Sequence, residues 1–152
     1  MASSPRLVLL LRVIVMLISL QFVLGVWVAL FGTFPSTDNV GTALRYTGDP
    51  VLSAHYAIAV IILILAVVLV VLSLPSSEPR MMRWLNVAGL LSLLGADAAG
   101  VQFILSGFSN DDYSFGMAVA FIVAMVFYGI AQAVALPDQG ARAGPAQKAS
   151  GT

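Results

Sequence analysis

The sequence predicts an all-α membrane protein, a four-transmembrane-helix bundle built from two tandem helical hairpins with both termini inside. Three observations carry that expectation. The 152 residues are 60% hydrophobic and only 9% charged, whereas a soluble domain carries roughly a quarter charged residues. A surface this poor in charge has to face lipid. The apolar residues are gathered into four runs long enough to cross a bilayer, which takes roughly 20 residues of helix. The basic residues, finally, divide between the two sides.

The first run, residues 7–31, holds one charge, Arg12. It is too long for a secretory leader and lacks a small-residue cleavage site before its polar loop. The second, 51–74, has no formal charge. The third, 84–107, carries Asp97, and the fourth, 114–136, is again uncharged. Continuous runs of this kind differ from the short alternating strands of a membrane β-barrel. Six of the seven bases (Arg6, Arg12, Arg80, Arg83, Arg142, Lys148) fall at the N-terminus, in the middle loop or in the tail. The other two loops hold Arg45 against Asp38, Asp49, Asp111 and Asp112. Positive residues stay in the cytoplasm, which predicts a multi-pass protein of the cell membrane with both termini cytoplasmic. The 137–152 tail, small, polar and Gly/Ala-rich, is expected to be disordered.

The 32–50 loop predicts a short surface helix around TDNVGTALRY, started by Thr37 or Asp38 as an N-cap. Trp27, Phe31, Phe34 and Trp84 read as membrane-interface anchors, and Asn86 and Gln132 as solvated residues near the cytoplasmic ends. Small residues four apart, Gly95 with Ala99, Ala96 with Gly100, and Gly116 with Ala120 and Ala124, predict close approach of the third and fourth spans or a dimer face. Net charge is zero and no Lys/Arg cluster occurs, which argues against a nucleic-acid partner. There are no cysteines, so disulfides, thiolate metal sites and Cys nucleophiles are excluded.

An internal repeat supports the hairpin architecture. QFVLGVW at 21–27 matches QFILSGF at 102–108. Each is followed by a polar loop and a helix opening with small and aromatic residues, SAHYAIAVIIL at 53–63 and YSFGMAVAFIV at 113–123. Gln21 then pairs with Gln102, and His55 with Phe115. Parallel repeats of this kind pack about an axis along the membrane normal.

The order Gln21-Phe22-Val23-Leu24-Gly25, a long loop with a proline, then Ala54-His55-Tyr56-Ala57 leading into an aliphatic helix resembles a hairpin of the haem A synthase family. That family is built from two similar four-helix halves, and the chain looks like one half. The resemblance implies haem near the extracytoplasmic side, with His55 as an axial ligand to its iron. Phe115 stands where a second ligand histidine is expected, and no E-x-x-H-R pattern occurs. No catalytic residue is assigned.

His55, the single histidine, has three readings on its own chemistry: a haem ligand, an interfacial residue beside Tyr56 bonded to a loop carbonyl, or a proton- or quinone-linked group. One histidine leaves a haem iron's other axial position to another donor, and Met117 lies at the matching level. Asp97 lies 13 residues past Trp84, about 20 Å along a helix rising roughly 1.5 Å per residue. Ionisable groups at such depth face a bundle interior or a water-filled cavity. The expected partners are Gln21, Ser92 or a carbonyl, a relay to His55, or a haem propionate or quinone. Gln21 and Gln102 suggest inter-helical hydrogen bonds. The candidate cofactor-binding set is therefore His55, Met117, Gln21, Gln102 and Asp97. Three function classes follow: a haem-binding protein, a non-catalytic subunit of a respiratory or other membrane complex, and a small proton- or quinone-linked protein using Asp97. Lipid is the common partner, with a homodimer or a larger complex beyond it.

Overall fold

The computed structural model describes residues 4–74 and 79–135. It is all-helical over these residues, in the order α1 (Pro5–Phe31), α2 (Val40–Leu44), α3 (Pro50–Ser73), α4 (Arg80–Leu105) and α5 (Asp111–Ala135). All but α2 are long and apolar enough to cross a membrane. Their ends lie within a few residues of the runs expected from hydropathy. The tail expected to be disordered lies outside the described residues.

Each long helix packs on two others: α1 on α3 and α5, and α4 on α3 and α5. The closest pair, α4 with α5, is antiparallel. Gly89 faces Tyr128, Gly95 faces Ala120 and Gly100 faces Met117, so contacts advance along one helix as they retreat along the other. Glycine and alanine let the two backbones approach. Gly116 instead has no neighbour within 4 Å, so that part of the small-residue series does not serve the α4–α5 seam.

The core follows the spacing of a left-handed bundle, alternating three and four residues. It reads Leu7, Leu11, Ile14, Ile18 on α1; Ile62, Ala66, Leu69 on α3; and Phe121, Ala124, Tyr128, Ala131, Ala135 on α5. The stripe on α4 is Met82, Asn86, Gly89, Leu93 and Ala96. Asn86 is wholly buried, which corrects its expected solvation: its position on the wheel, between Met82 and Gly89, turns it inward. The large apolar side chains off these stripes, such as Leu9, Val67, Leu91 and Val126, are exposed, as lipid-facing positions are.

The ends of the bundle carry most of the local hydrogen bonding. Asp49 caps α3, its Oδ1 accepting from the Val51 and Leu52 amides at 2.8 and 3.1 Å. Its Oδ2 accepts from the Thr33 amide at 2.9 Å. One carboxylate thereby starts α3 and fastens it to Thr33, two residues beyond α1. These amides hold the Asp49 carboxyl below its usual range, against an opposing effect of burial. The loop helix is shorter than expected, and its N-cap is Asn39. Asn39 Oδ1 accepts from the Thr42 amide at 3.0 Å, while Thr37 Oγ1 accepts from the Asn39 amide at 3.1 Å and so serves the preceding turn.

Phe34 is partly buried and packs on other aromatic rings. Its ring stacks on Phe108 at 4.8 Å and meets Phe103 edge-on at 5.8 Å. Trp27, Phe31 and Trp84 are more than half exposed, at 52%, 65% and 61%, as interface anchors are. At the α4–α5 turn Gly107 and Phe108 both have positive φ, 64° and 59°. The Phe108 amide donates back to the Phe103 carbonyl at 3.0 Å, closing the end of α4. A non-glycine residue there is strained by about 1–2 kcal/mol, which the contacts with Phe34 and Phe103 offset.

Candidate functional site

In the half of the bundle nearer the 32–49 and 106–110 connections, polar side chains join the buried apolar ones. Gln21, His55, Ala96, Asp97 and Met117 meet there, and a cavity of about 140 Å³ opens among them. All four long helices contribute to its wall. Four of the five residues expected to form a site converge here: His55, Met117, Gln21 and Asp97. Gln102 does not line it and lies exposed on α4.

Gln21 is buried at 3% exposure. Its Nε2 donates to the main-chain carbonyl of His55 at 3.0 Å, fixing α1 against the first turns of α3. The other amide atom, Oε1, is buried without a partner among the described residues. Gln21 thus holds the histidine's backbone and leaves an acceptor free.

His55 lies against Gly25. A Cβ at that glycine would stand 3.2 Å from His55 Cε1 and 3.8 Å from Nδ1, so α1 makes room for the imidazole by having no side chain there. His55 Nδ1 is buried and unpartnered among the described residues. It makes no bond to a loop carbonyl. The neighbouring Tyr56 hydroxyl is likewise buried and unpartnered among them. Gly100 plays the same part for Met117, whose Sδ lies 3.3 Å from where a Cβ would be.

Asp97 is partly buried and lines the cavity. No described residue hydrogen-bonds it. Both of its expected amide and hydroxyl partners are engaged elsewhere through their donors, Gln21 to His55 and Ser92 Oγ to the Ala88 carbonyl at 2.9 Å. The cavity therefore brings together an imidazole, a carboxyl, an amide oxygen and a thioether. Such a set can donate and accept hydrogen bonds to a small polar group. Among the described residues no group of three or more His, Cys, Asp or Glu could hold a metal ion.

Most of the cavity's lining comes from α1 and α5. Phe22 and Val26 of α1, 37% and 45% exposed, stand at its rim, and Ser114, Ala118 and Phe121 of α5 line the other side. Gly25 and Ser114 were not singled out in the sequence. A lone glycine in an apolar span and a serine in a first turn carry no signal of their own. Comparison of the chain with protein-family models, curated proteins and solved structures finds no match.

Proposed function

We propose that this chain is a cell-membrane protein with both termini cytoplasmic. It holds a single-ring, quinone-class headgroup in the cavity, reached laterally from the bilayer between α1 and α5. The supporting observation is that His55 and Gln21, each with a buried and unpartnered polar atom, line one small cavity with Asp97. Buried polar groups in a bilayer are costly unless they are partnered, and they mark ligand or proton sites. A neutral imidazole offers one donor and one acceptor, an amide oxygen is an acceptor, and a carboxyl can be either. That combination suits the carbonyl oxygens of a quinone and the hydroxyls of a quinol. The apolar walls from Phe22, Phe121 and Met117 suit the ring, and the seam leaves an isoprenoid tail in lipid.

Size favours this ligand over haem. His55 and Met117 are a donor pair of the kind that holds haem iron in cytochromes, and they share the cavity. A cavity of roughly 150 Å³ accommodates one benzene ring. The space here, about 140 Å³, matches one ring and is far short of a tetrapyrrole. The donor chemistry suits haem, while the space supports the single ring. The tandem-hairpin repeat suggested by the two QF motifs is part of the same proposal, with the qualification that its paired residues differ. Gln21 is buried while Gln102 is exposed, and His55 is partly buried while Phe115 is 72% exposed.

The test is a binding titration of the purified protein in nanodiscs with a short-tailed ubiquinone or menaquinone analogue. Saturable binding is expected, weakened tenfold or more by Asp97→Asn and by His55→Leu. Absence of saturable binding to wild type would sink the proposal. A Soret band in the purified protein, lost on His55→Ala, would replace it with the haem reading. Orientation is checked by single cysteines placed in this cysteine-free chain. A reporter at Ser109 should react with an impermeant thiol reagent added to intact cells, and one at Ser3 should not. The opposite pattern would reverse the topology.

A further inference from the structure

The other half of the bundle contains a second polar site that the cavity does not include. Asn86 on α4 is 0% exposed, and both Nδ2 and Oδ1 lack partners among the described residues. Tyr128 on α5 is also 0% exposed, with its hydroxyl unpartnered among them. The ring of Tyr128 lies directly over Gly89, with Cε2 and Cζ each 2.7 Å from where a Cβ would stand. The hydroxyl end of the ring therefore reaches α4 at the level of Gly89. Asn86 occupies the preceding turn on the same buried stripe, about 4.5 Å along the axis at roughly 1.5 Å per residue. Asn86 and the Tyr128 ring thus meet the α4–α5 seam within one turn of each other, and no hydrogen bond joins them.

We propose that Asn86 and Tyr128 build a binding site for internal water, with one or two molecules bridging the amide to the phenol. Three buried polar atoms on two facing helices would otherwise be left with nothing to bond, at a depth where lipid offers no partner. Buried water typically makes about three hydrogen bonds to such groups, and the amide and hydroxyl supply donors and acceptors of both kinds. Gly89 is the structural condition for the site. A side chain there would displace the ring and carry the hydroxyl away from Asn86. The site lies toward the end of α4 that begins at Arg80, the end the charge pattern assigns to the cytoplasm. It stands independently of the ligand proposed for the cavity.

The test exploits a difference in sign. In a dry site, Tyr128→Phe removes an unsatisfied hydroxyl and leaves the ring packing intact, so the protein becomes more stable. In a hydrated site the same change removes one anchor of the bridging water and lowers the melting temperature. The expected result is a fall of roughly 2–4 °C for Tyr128→Phe in nanodiscs, with Asn86 side-chain amide protons in the wild type showing magnetisation transfer from water. A rise in melting temperature, or an amide that receives no transfer from water, would overturn the proposal. The phenylalanine variant keeps the volume and apolar contacts of the ring, so folding does not confound the reading.

Discussion

Substitution of Gly89 by alanine puts the α4–α5 contact to a quantitative test. A Cβ at position 89 would stand 2.7 Å from Tyr128 Cε2 and Cζ and 3.0 Å from Cε1, all closer than a carbon contact allows. Tyr128 is 0% exposed, so the ring can turn only by displacing the side chains packed around it. Overpacking of this kind costs about 1–3 kcal/mol. Alanine in place of a helical glycine returns about 1 kcal/mol of helix propensity. The difference is a net loss of about 1 kcal/mol, with up to about 2 kcal/mol where the ring cannot yield. For a chain of this length 1 kcal/mol corresponds to roughly 2–4 °C in melting temperature. The assay is a thermal melt of Gly89→Ala in two backgrounds, wild type and Tyr128→Leu. Without the ring the clash is gone and the propensity gain is left alone, so Gly89→Ala should stabilise the leucine background by about 1 kcal/mol. The coupling between the two positions should therefore approach 2 kcal/mol, within the range of contacting residues. Equal effects in both backgrounds would refute the placement of Tyr128 over Gly89.

Asp49→Ala should lower the melting temperature, because it removes the α3 N-cap and the bond to Thr33 together. The same carboxylate makes stability pH-dependent. Its pKa is depressed in the folded protein, so its contribution is fully present above the ordinary aspartate value of about 4. That contribution is lost as pH falls below this value, and Asp49→Asn should flatten this part of a melt-versus-pH curve. At position 108 glycine should be the better replacement. Phe108→Gly and Phe108→Ala both lose the ring contacts, but glycine relieves the positive φ, so it should melt higher by about 1 kcal/mol. Gly25→Ala brings a methyl to 3.2 Å from His55 Cε1. It should weaken quinone-analogue binding roughly tenfold, about 1.4 kcal/mol, and shift the His55 imidazole NMR signals. Unchanged affinity and signals would remove Gly25 from the site.

The four spans were readable because hydropathy depends only on composition within a window, and lipid selects on composition. The packing within them was less readable for the same reason. In a soluble helix the core stripe is apolar against a polar remainder, but here Leu11 in the core and Leu9 in lipid are the same residue type. Only polar and very small residues break that degeneracy. The closeness of Asn86 to a helix end suggests solvation, but depth along a helix does not give direction, and Asn86 is wholly buried.

Direction was nevertheless present in the sequence for the polar residues. At 3.6 residues per turn, Asn86 and Asp97 lie about 20° apart on the helical wheel, so they share the inner face. Gln102 lies about 160° from Asn86 and about 140° from Asp97, which turns it outward. The same arithmetic places His55 about 20° from Ile62, and Met117 about 20° from both Ala124 and Tyr128. It places Phe115 about 160° from Met117, and Phe115 is exposed. The QF alignment set Phe115 opposite His55 and drew attention to a missing ligand. On the wheel the inward residue of that turn is Met117, which does face the cavity with His55. The candidate site thus lies along the core seam, with Gln21, His55 and Met117 continuing the stripes of Ile18, Ile62 and Tyr128, and Asp97 one position past Ala96 on α4. Four side chains make this part of the seam polar, and the glycines at 25 and 100 make room for two of them.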